Sequence, residues 1–309
     1  DFASDDYQTD PGSIMAAIEG VVRQARRANP KLDILFVYAF RASMEKDYME
    51  GKAPYAISAY ERIADHYGIP SINMGMRVAQ LFQQGKLLIQ GTPEEAKAAG
   101  KLLFSADGVR PLADGNRIYS EALTAGLDVL LDQGAKPVNY PLPPPYEPRN
   151  LERATLAPIT QDMLSGEWRQ LPDTDPLRQR FARHFDTIWF TDKPGAKLTF
   201  RFKGTDAGFF HLIGPDTGQV RVTIDDKDLG VRRQVDRWCY YQRLSALSLA
   251  SGLSDEVHTV TVELLPDPPN RTEPIEEAKR VGRYEEALFQ GVALRIGFLR
   301  VVGEVLLSH

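Results

Sequence analysis

Two short polar segments of this sequence carry side chains that can do acid–base or electrostatic chemistry. In the segment 104–119, Asp107 stands three residues before Arg110, and an amphipathic helix is expected to follow. The segment 2–7 holds a pair of adjacent carboxylates that includes Asp5. A carboxylate can orient a neighbouring basic side chain, but a guanidinium group keeps its proton and cannot act as a general base. Arg110 is therefore expected either to pair with Asp107 or to bind an anionic ligand.

Each of these acidic residues also has a purely structural interpretation. Asp107 lies in the run Ser-Ala-Asp-Gly, which is good turn chemistry, and an aspartate there commonly caps a turn. Asp5 lies shortly before a predicted helix, where a negative charge stabilises the positive end of the helix dipole. The sequence alone leaves both alternatives open.

Residues 1–133 alternate between helical and strand-like patterns, and these elements would position both segments. Asp10 and Pro11 start a helix, since aspartate is a good N-cap and proline suits the first helical position. The apolar run 32–38 predicts a strand buried on both faces. Alternation of this kind predicts a parallel sheet with helices on both faces. The other predicted elements are a helix over about 54–67 that ends at Gly68, a strand over 70–74, and helices near 76–85, 93–99 and 113–132.

From residue 134 onward the pattern changes twice. Six of the chain's 21 prolines fall between residues 134 and 150, so we assign the stretch 134–180 to a stiff linker and packing segment. After about residue 180, apolar residues recur at every second position, and turn-forming clusters separate the runs. Residues 181–309 are therefore predicted to form an antiparallel β-sandwich or jelly roll. The alternating runs are 197–202, 219–224 and 258–264, with one or two further strands in 289–302.

The segment around Asp107 resembles the last motif block of the SGNH (GDSL-type) hydrolases, Asp-x-x-His-Pro followed by a glycine and a helix. The segment 2–7 resembles that family's Gly-x-Asn-Asp block, and the segment 67–73 resembles its next strand. The resemblance covers about residues 1–133 and rests on the order and spacing of these blocks. It implies a flavodoxin-like α/β fold with a three-layer parallel sheet, whose first strand would lie upstream of Asp1.

The resemblance assigns a catalytic role to individual positions, and at some of these positions the sequence departs from the family's pattern. In the family a serine attacks an ester carbonyl, a histidine takes its proton, and an aspartate three residues earlier orients the imidazole. Asp107 stands at the position of that aspartate, Arg110 at that of the histidine, and Asp5 at that of an asparagine that helps to bind the oxyanion. The serine and glycine blocks would lie upstream of Asp1. Because guanidinium holds its proton and a carboxylate repels an oxyanion, this chain is expected not to hydrolyse esters by that mechanism.

The resemblance implies an esterase that acts on acyl esters, and the appended sandwich favours O-acetyl esters of carbohydrate. The start at Asp1 and the missing first strand indicate an N-terminally incomplete copy of such an enzyme. The alternative is a pseudoenzyme that binds carbohydrate without catalysis. A third hypothesis is an interaction domain that uses residues 270–309, where apolar positions suggest a strand edge: Val292, Leu294, Ile296, Phe298, Val301 and Val305.

Composition narrows the possible partners. Lys and Arg total 37 against 42 for Asp and Glu, a formal charge of −5, which argues against a nucleic-acid partner. No apolar run is long enough to predict a membrane span. The single cysteine, Cys239, excludes an internal disulfide framework. The histidines are isolated in the sequence and give no metal-binding pattern. The family resemblance implies no cofactor. The expected partner is a small-molecule or carbohydrate ester, for which a secreted or periplasmic location is plausible.

Five aromatic residues have two interpretations. Trp168, Trp189 and Trp238, together with Tyr240 and Tyr241, would suit a platform on which a sugar ring stacks. Aromatic side chains of a β-sandwich more commonly lie in its core or at an interface. The sequence does not decide between these interpretations.

Overall fold

The computed structural model describes residues 2–132 and 138–306. The chain divides into two compact units, residues 1–152 and 153–309. This division falls inside the stretch that the sequence assigns to a linker and packing segment. The described residues of that stretch therefore belong partly to the first unit and partly to the second.

The first unit, in its described residues, combines six helices with two pairs of parallel strands. The helices are α1 (Pro11–Ala28), α2 (Glu45–Met49), α3 (Tyr55–Tyr67), α4 (Met74–Gln83), α5 (Pro93–Ala99) and α6 (Ala113–Leu131), and the strands are β1 (Phe36–Tyr38), β2 (Ser71–Asn73), β3 (Leu87–Gln90) and β4 (Leu102–Ser105). β1 pairs with β2, and β3 pairs with β4. The alternation of helices and strands is thus present. A continuous three-layer sheet stays a prediction, because the described strands form two separate pairs.

Local sequence signals set the ends of these elements. The carboxylate of Asp10 accepts a hydrogen bond from the backbone N–H of Ser13 at 2.9 Å, which confirms the predicted N-cap of α1. Gly68 ends α3 in the left-handed region with a φ of +60°, also as predicted. β1 and β2 are shorter than the apolar runs that predicted them, and the sequence did not indicate β3 and β4.

The proline-rich stretch 138–152, which we call the strap, packs against the first unit. Glu19 in α1 is fully buried, and its carboxylate accepts a hydrogen bond from the Tyr67 hydroxyl at 2.5 Å. The same carboxylate accepts from the backbone N–H groups of Tyr146 at 2.6 Å and Glu147 at 2.7 Å. One buried carboxylate therefore joins α1, the end of α3 and the strap.

Backbone packing and an ion pair hold the far end of the strap. The N–H of Leu151 donates to the Ala16 carbonyl at 2.9 Å, and a Cβ at Gly20 would lie 2.6 Å from the carbonyl carbon of Leu151. The guanidinium of Arg23 donates to the carboxylate of Glu152 at 2.5 Å. The strap is therefore an integral part of the first unit.

The second unit is built from antiparallel strands around one long strand. Its strands are β5 (Ala154–Pro158), β6 (Leu164–Ser165), β7 (Arg169–Gln170), β8 (Trp189–Thr191), β9 (Lys197–Ile213), β10 (Val220–Ile224), β11 (Lys227–Arg232), β12 (Arg243–Ala250), β13 (Glu256–Leu264) and β14 (Leu294–Leu306), and its helices are α7 (Pro176–Arg180) and α8 (Thr272–Arg280). β9 pairs with β13 and then with β12 along one edge, and with β14 along the other. The predicted antiparallel architecture is confirmed. None of the described helices in either unit is long and apolar enough to cross a membrane.

Alternate side chains of these strands form the core of the second unit. Trp189 is 5% exposed, and its indole N–H donates to the Ile159 carbonyl at 3.0 Å. Trp168 packs against the same core and donates to the Ser165 carbonyl at 3.2 Å. For these two tryptophans the structural interpretation is therefore correct.

The strand β14 is internal to its sheet. One of its edges pairs with β9, and the other pairs with β5 and β8. Ile296 and Leu299 are fully buried. The hypothesis of a free strand edge is wrong for residues 294–302, because both edges of β14 are hydrogen-bonded there, whereas residues 303–306 pair with β9 only.

Candidate functional site

The loop between β4 and α6 is built around the carboxylate of Asp107. Its Oδ1 atom accepts hydrogen bonds from the Ser105 hydroxyl at 2.9 Å and from the backbone N–H groups of Val109 at 2.9 Å and Arg110 at 2.8 Å. Its Oδ2 atom accepts from Nη1 of Arg110 at 2.8 Å. Asp107 therefore caps the turn and also pairs with the side chain three residues ahead, while its role in catalysis stays a prediction.

These donors hold the pKa of Asp107 well below its usual range. The backbone N–H groups of Arg110 and Val109 contribute most, followed by the Ser105 hydroxyl and then the Arg110 guanidinium. The carboxylate is thus ionised at neutral pH, and the adjacent guanidinium compensates its charge. The side chain of Arg110 is 87% exposed, so most of its N–H groups are accessible to an oxygen atom of a ligand.

The residues that follow β1 fix the position of this loop. The backbone N–H of Ala42 donates to the Gly108 carbonyl at 2.8 Å. Gly108 has a φ of +77°, and a Cβ there would lie 2.8 Å from the Cβ of Ala42. Both the backbone conformation and the close approach therefore require glycine at this position.

Arg41 holds the second predicted segment, residues 2–7. Its Nη1 donates to the Ser4 carbonyl at 3.0 Å, and its guanidinium lies 3.7 Å from the centroid of the Tyr7 ring. A cation over an aromatic face is attracted by the electron density of the ring. The two contacts fix the backbone on both sides of Asp5, which is exposed to solvent.

Asp6, the neighbour of Asp5, has a structural role. Its Oδ2 accepts from the Tyr60 hydroxyl at 2.6 Å, and its carbonyl accepts from the Tyr55 hydroxyl at 2.7 Å. Burial and the bond to Asp6 raise the pKa of Tyr60, so the phenol keeps its proton and donates. Of the two adjacent carboxylates, Asp5 is the one more exposed to solvent.

Arg41 and Ala42 bring the two predicted segments to one edge of the first unit. Arg41 contacts residues 2–7, and Ala42 contacts the loop 105–110. We call these two segments, together with residues 39–42, the polar edge. Residues 39–42 follow β1 and the loop follows β4, and the carboxyl ends of parallel strands are where ligands bind in open α/β sheets.

Sequence reasoning identified Asp5, Asp107 and Arg110 but missed two residues of the polar edge. Arg41 stands three residues after the predicted buried strand, and this position could have marked it as a candidate site residue. Ser105 was considered only as a turn residue, although it stands two residues before Asp107.

The polar edge can bind a carbonyl oxygen or an anion, but its described residues hold no nucleophile with an adjacent base. Ser105 is fully buried, and its hydroxyl donates to Asp107, whose lowered pKa makes it a poor base. Arg110 cannot accept a proton. Within residues 2–132 and 138–306, no group of three His, Cys, Asp or Glu side chains is placed to hold a metal ion. Among the described residues of the polar edge, Arg110 therefore offers hydrogen-bond donors, and neither Ser105 nor Arg110 has an adjacent group that would remove a proton.

The Asp107–Arg110 pair predicts how an imidazole at residue 110 would titrate. In Arg110→His, the ionised carboxylate of Asp107 is expected to raise the imidazole pKa above its ordinary value of about 6.5 by about one pH unit. An NMR titration of the imidazole protons measures this value. Asp107→Asn in the same background is the control, because the amide oxygen keeps the backbone hydrogen bonds, whereas the negative charge and the second acceptor oxygen beside residue 110 are lost. Equal imidazole pKa values in the two backgrounds would show that Asp107 does not act on residue 110.

No protein-family model and no curated protein sequence matches this chain. Its structure is similar to the crystal structure of a two-domain esterase active on acetylated mannans, co-crystallized with mannopentaose. The TM-score is 0.63 at 16% sequence identity, over 94% of this chain and 67% of that chain. A second crystal structure of a two-domain esterase active on acetylated mannans gives a TM-score of 0.61 at 16% identity, over 94% of this chain and 68% of that chain. The chain therefore shares its overall fold with carbohydrate esterases.

Proposed function

We propose that this chain is an SGNH-type protein that is similar to carbohydrate esterases and recognises O-acetylated polysaccharide. In this proposal Arg110, at the position of the family's histidine, does not act as a general base. The Asp107–Arg110 pair carries the proposal. The carboxylate holds the side chain three residues ahead at 2.8 Å, as the aspartate of a catalytic triad holds its imidazole. The fold shared with esterases active on acetylated mannans supports the substrate class.

In this proposal the acyl carbonyl oxygen of the ligand binds to N–H groups of Arg110. The guanidinium stays charged and only donates, so it polarises the carbonyl without removing a proton. Asp5 offers a carboxylate where hydrolysis needs a donor for the oxyanion, and loss of one such donor typically costs about 10²–10³-fold in rate. The polar edge thus binds the ester, but its described residues supply no nucleophile with an adjacent base to attack the carbonyl carbon.

Calorimetric titration and acetate release by the 309-residue chain test this proposal. We expect tighter binding of acetylated mannopentaose than of deacetylated mannopentaose, by about 5- to 10-fold, because only the ester offers a carbonyl oxygen to Arg110. Arg110→Ala should abolish that difference. Arg117→Ala is the matched control, since Arg117 is another exposed arginine of the first unit, paired on α6 with Glu121. No acetate release above that of buffer is expected.

Two results would contradict the proposal. Acetate release at an ordinary enzymatic rate, about 1 s⁻¹ or more, would show that a base operates in this chain. Equal affinity of the wild-type protein for the acetylated and deacetylated oligosaccharides would show that the polar edge does not recognise the ester.

A further inference from the structure

His258 in β13 of the second unit faces a hydrogen-bond acceptor at each of its two ring nitrogens. Its Nδ1 lies 2.6 Å from Oδ2 of Asp225, and its Nε2 lies 2.8 Å from the carbonyl oxygen of Ser254. The side chain is only 8% exposed, so water has little access to the ring. A neutral imidazole has one N–H and would present a lone pair to one of these oxygens, whereas the imidazolium ion donates to both. The geometry therefore favours the protonated form.

Backbone hydrogen bonds hold both of these acceptors in place. Oδ1 of Asp225 accepts from the N–H of Thr259 at 2.8 Å, and the Ser254 carbonyl also accepts from the N–H of Glu256 at 2.8 Å. The bond to His258, followed by the bond from Thr259, holds the pKa of the Asp225 carboxyl below its usual range. The carboxylate is thus ionised near neutral pH and a carbonyl carries no proton, so neither acceptor can become a donor.

The surroundings of the ring stabilise the charged imidazolium. The hydrogen bond to Asp225 raises the pKa of His258 above its ordinary value, and the Ser254 carbonyl and the charge of Glu256 act in the same direction, against burial. β9 presents an uncharged side chain to the ring, since the ring centroids of Phe202 and His258 lie 5.6 Å apart. Asp225 and Glu256 are therefore the charges that act on the ring.

The other charged side chains of the neighbouring elements are exposed to solvent. Arg201 and Lys203 in β9 are exposed on either side of Phe202, which is buried. Since successive side chains of a strand point to opposite faces, both lie on the face away from the imidazole. In the turn between β10 and β11, Asp226 and Lys227 are exposed as well.

The Ser254 carbonyl belongs to the loop 251–255 between β12 and β13, and this loop also binds the first residue of the second unit. The carboxylate of Asp255 accepts from Nη1 and Nη2 of Arg153 at 2.7 and 3.1 Å. The other partner of His258, Asp225, lies in the turn between β10 and β11. His258 therefore joins the turn after β10 to the loop before β13.

We propose that His258 is a pH-sensitive latch: its imidazolium form holds the loop 251–255 onto the β10–β11 turn, and loss of the ring proton releases the loop. A neutral ring keeps its one N–H for the ionised carboxylate, because a charge-assisted hydrogen bond is the stronger of the two. The lone pair of Nε2 then faces the Ser254 carbonyl oxygen. The loop loses this contact and loosens, while the turn stays bound through Thr259.

The two pKa shifts fix the pH range in which the latch is closed. A histidine whose pKa is raised by folding contributes its full stabilisation below its ordinary value of about 6.5, and loses it as the pH rises through the raised pKa. A carboxyl whose pKa is lowered contributes above about 4, and loses its effect as the pH falls through the lowered pKa. The latch is thus closed in mildly acidic solution and opens as the pH rises past the pKa of His258.

Hydrogen–deuterium exchange of the loop amides, corrected for the intrinsic pH dependence of exchange, tests the latch in the 309-residue chain. Protection of residues 251–256 in the wild-type protein is expected to fall several-fold between about pH 6 and about pH 9. Asp225→Asn keeps an oxygen for Thr259 but removes the charge, so the fall should move to lower pH. His258→Gln should remove the pH dependence. His184→Gln is the matched control and should behave like wild type, because His184 is an exposed histidine of the same unit.

An NMR titration of the imidazole protons measures the latch directly. The midpoint of His258 is expected above the ordinary value of about 6.5. His211, whose pKa is lowered to about 3 by burial, does not titrate in this range. A midpoint at or below the ordinary value, loop protection that does not change with pH, or equal pH dependence in wild type and His258→Gln would overturn the inference. An unchanged midpoint in Asp225→Asn would do so as well.

Discussion

Glu19→Ala is expected to lower the free energy of unfolding of the first unit by about 3 kcal/mol or more. The substitution removes a fully buried carboxylate and leaves three donors without their acceptor. These donors are the Tyr67 hydroxyl and the backbone N–H groups of Tyr146 and Glu147. The hydrogen bond from Tyr67 is buried and the other two are partly buried, and a fully buried donor that loses its partner costs about 1–3 kcal/mol. The strap, which two of them anchor, should loosen first.

The distribution of chromophores separates the two units in this experiment. Trp168, Trp189 and Trp238 are the only tryptophans of the chain and all lie in the second unit. Six of the eight described α-helices lie in the first unit, so circular dichroism at 222 nm mainly follows that unit. In urea unfolding, Glu19→Ala should move the dichroism transition to lower denaturant and leave the fluorescence transition in place.

Glu50→Ala is the matched control for Glu19→Ala. The side chain of Glu50 is 40% exposed and forms surface ion pairs with Lys46 and Lys52, which contribute little to stability. Its unfolding transition should stay within about 0.5 kcal/mol of wild type. Similar transitions for Glu19→Ala and Glu50→Ala would contradict the role assigned to the buried carboxylate.

Gly204→Ala is expected to destabilise the second unit by about 3 kcal/mol or more. Gly204 in β9 has a φ of +156°, and a Cβ there would lie 2.1 Å from the carbonyl oxygen of Val302 in β14. Gly303, its partner across the two strands, has a φ of +142° beside a register shift. The obstructing atom belongs to backbone, so it cannot move aside without breaking the pairing of the two longest strands.

Tryptophan fluorescence during urea unfolding measures the effect of Gly204→Ala on its own unit. Gly195→Ala is the matched control. Gly195 also has a positive φ, +85°, but a Cβ there meets nothing within 4 Å, so only the backbone cost of about 1–2 kcal/mol is expected. If the two variants lost equal stability, the close crossing of β9 and β14 would not be the cause.

The strands of the two units differ in how well the sequence predicted them. β9, β10 and β13 have one buried face, so apolar residues alternate with polar ones and reveal the strand. β3 and β4 have four residues each, and so short a run gives no usable period. β12 was missed because small residues such as Ser245, Ala246 and Ser248 weaken its alternation.

The sequence also failed to predict how the strap packs. Its prolines predict an extended chain but do not reveal what that chain packs against. The anchor is Glu19, a carboxylate in the middle of an otherwise ordinary amphipathic helix. Nothing within a few residues of Glu19 indicates that it is buried, because its partners lie about 50 and 130 residues away in sequence.

The sequence by itself determined the features that depend on near neighbours. These include the helix caps and the three-residue spacing of Asp107 and Arg110, which a single turn is enough to bring together. Only the tertiary structure decided that Arg41 holds the segment of Asp5 beside the loop of Asp107. The tertiary structure likewise decided that Trp189 is buried and that Trp238 is exposed. Burial and long-range contacts depend on where distant parts of the chain pack, and no local pattern records that.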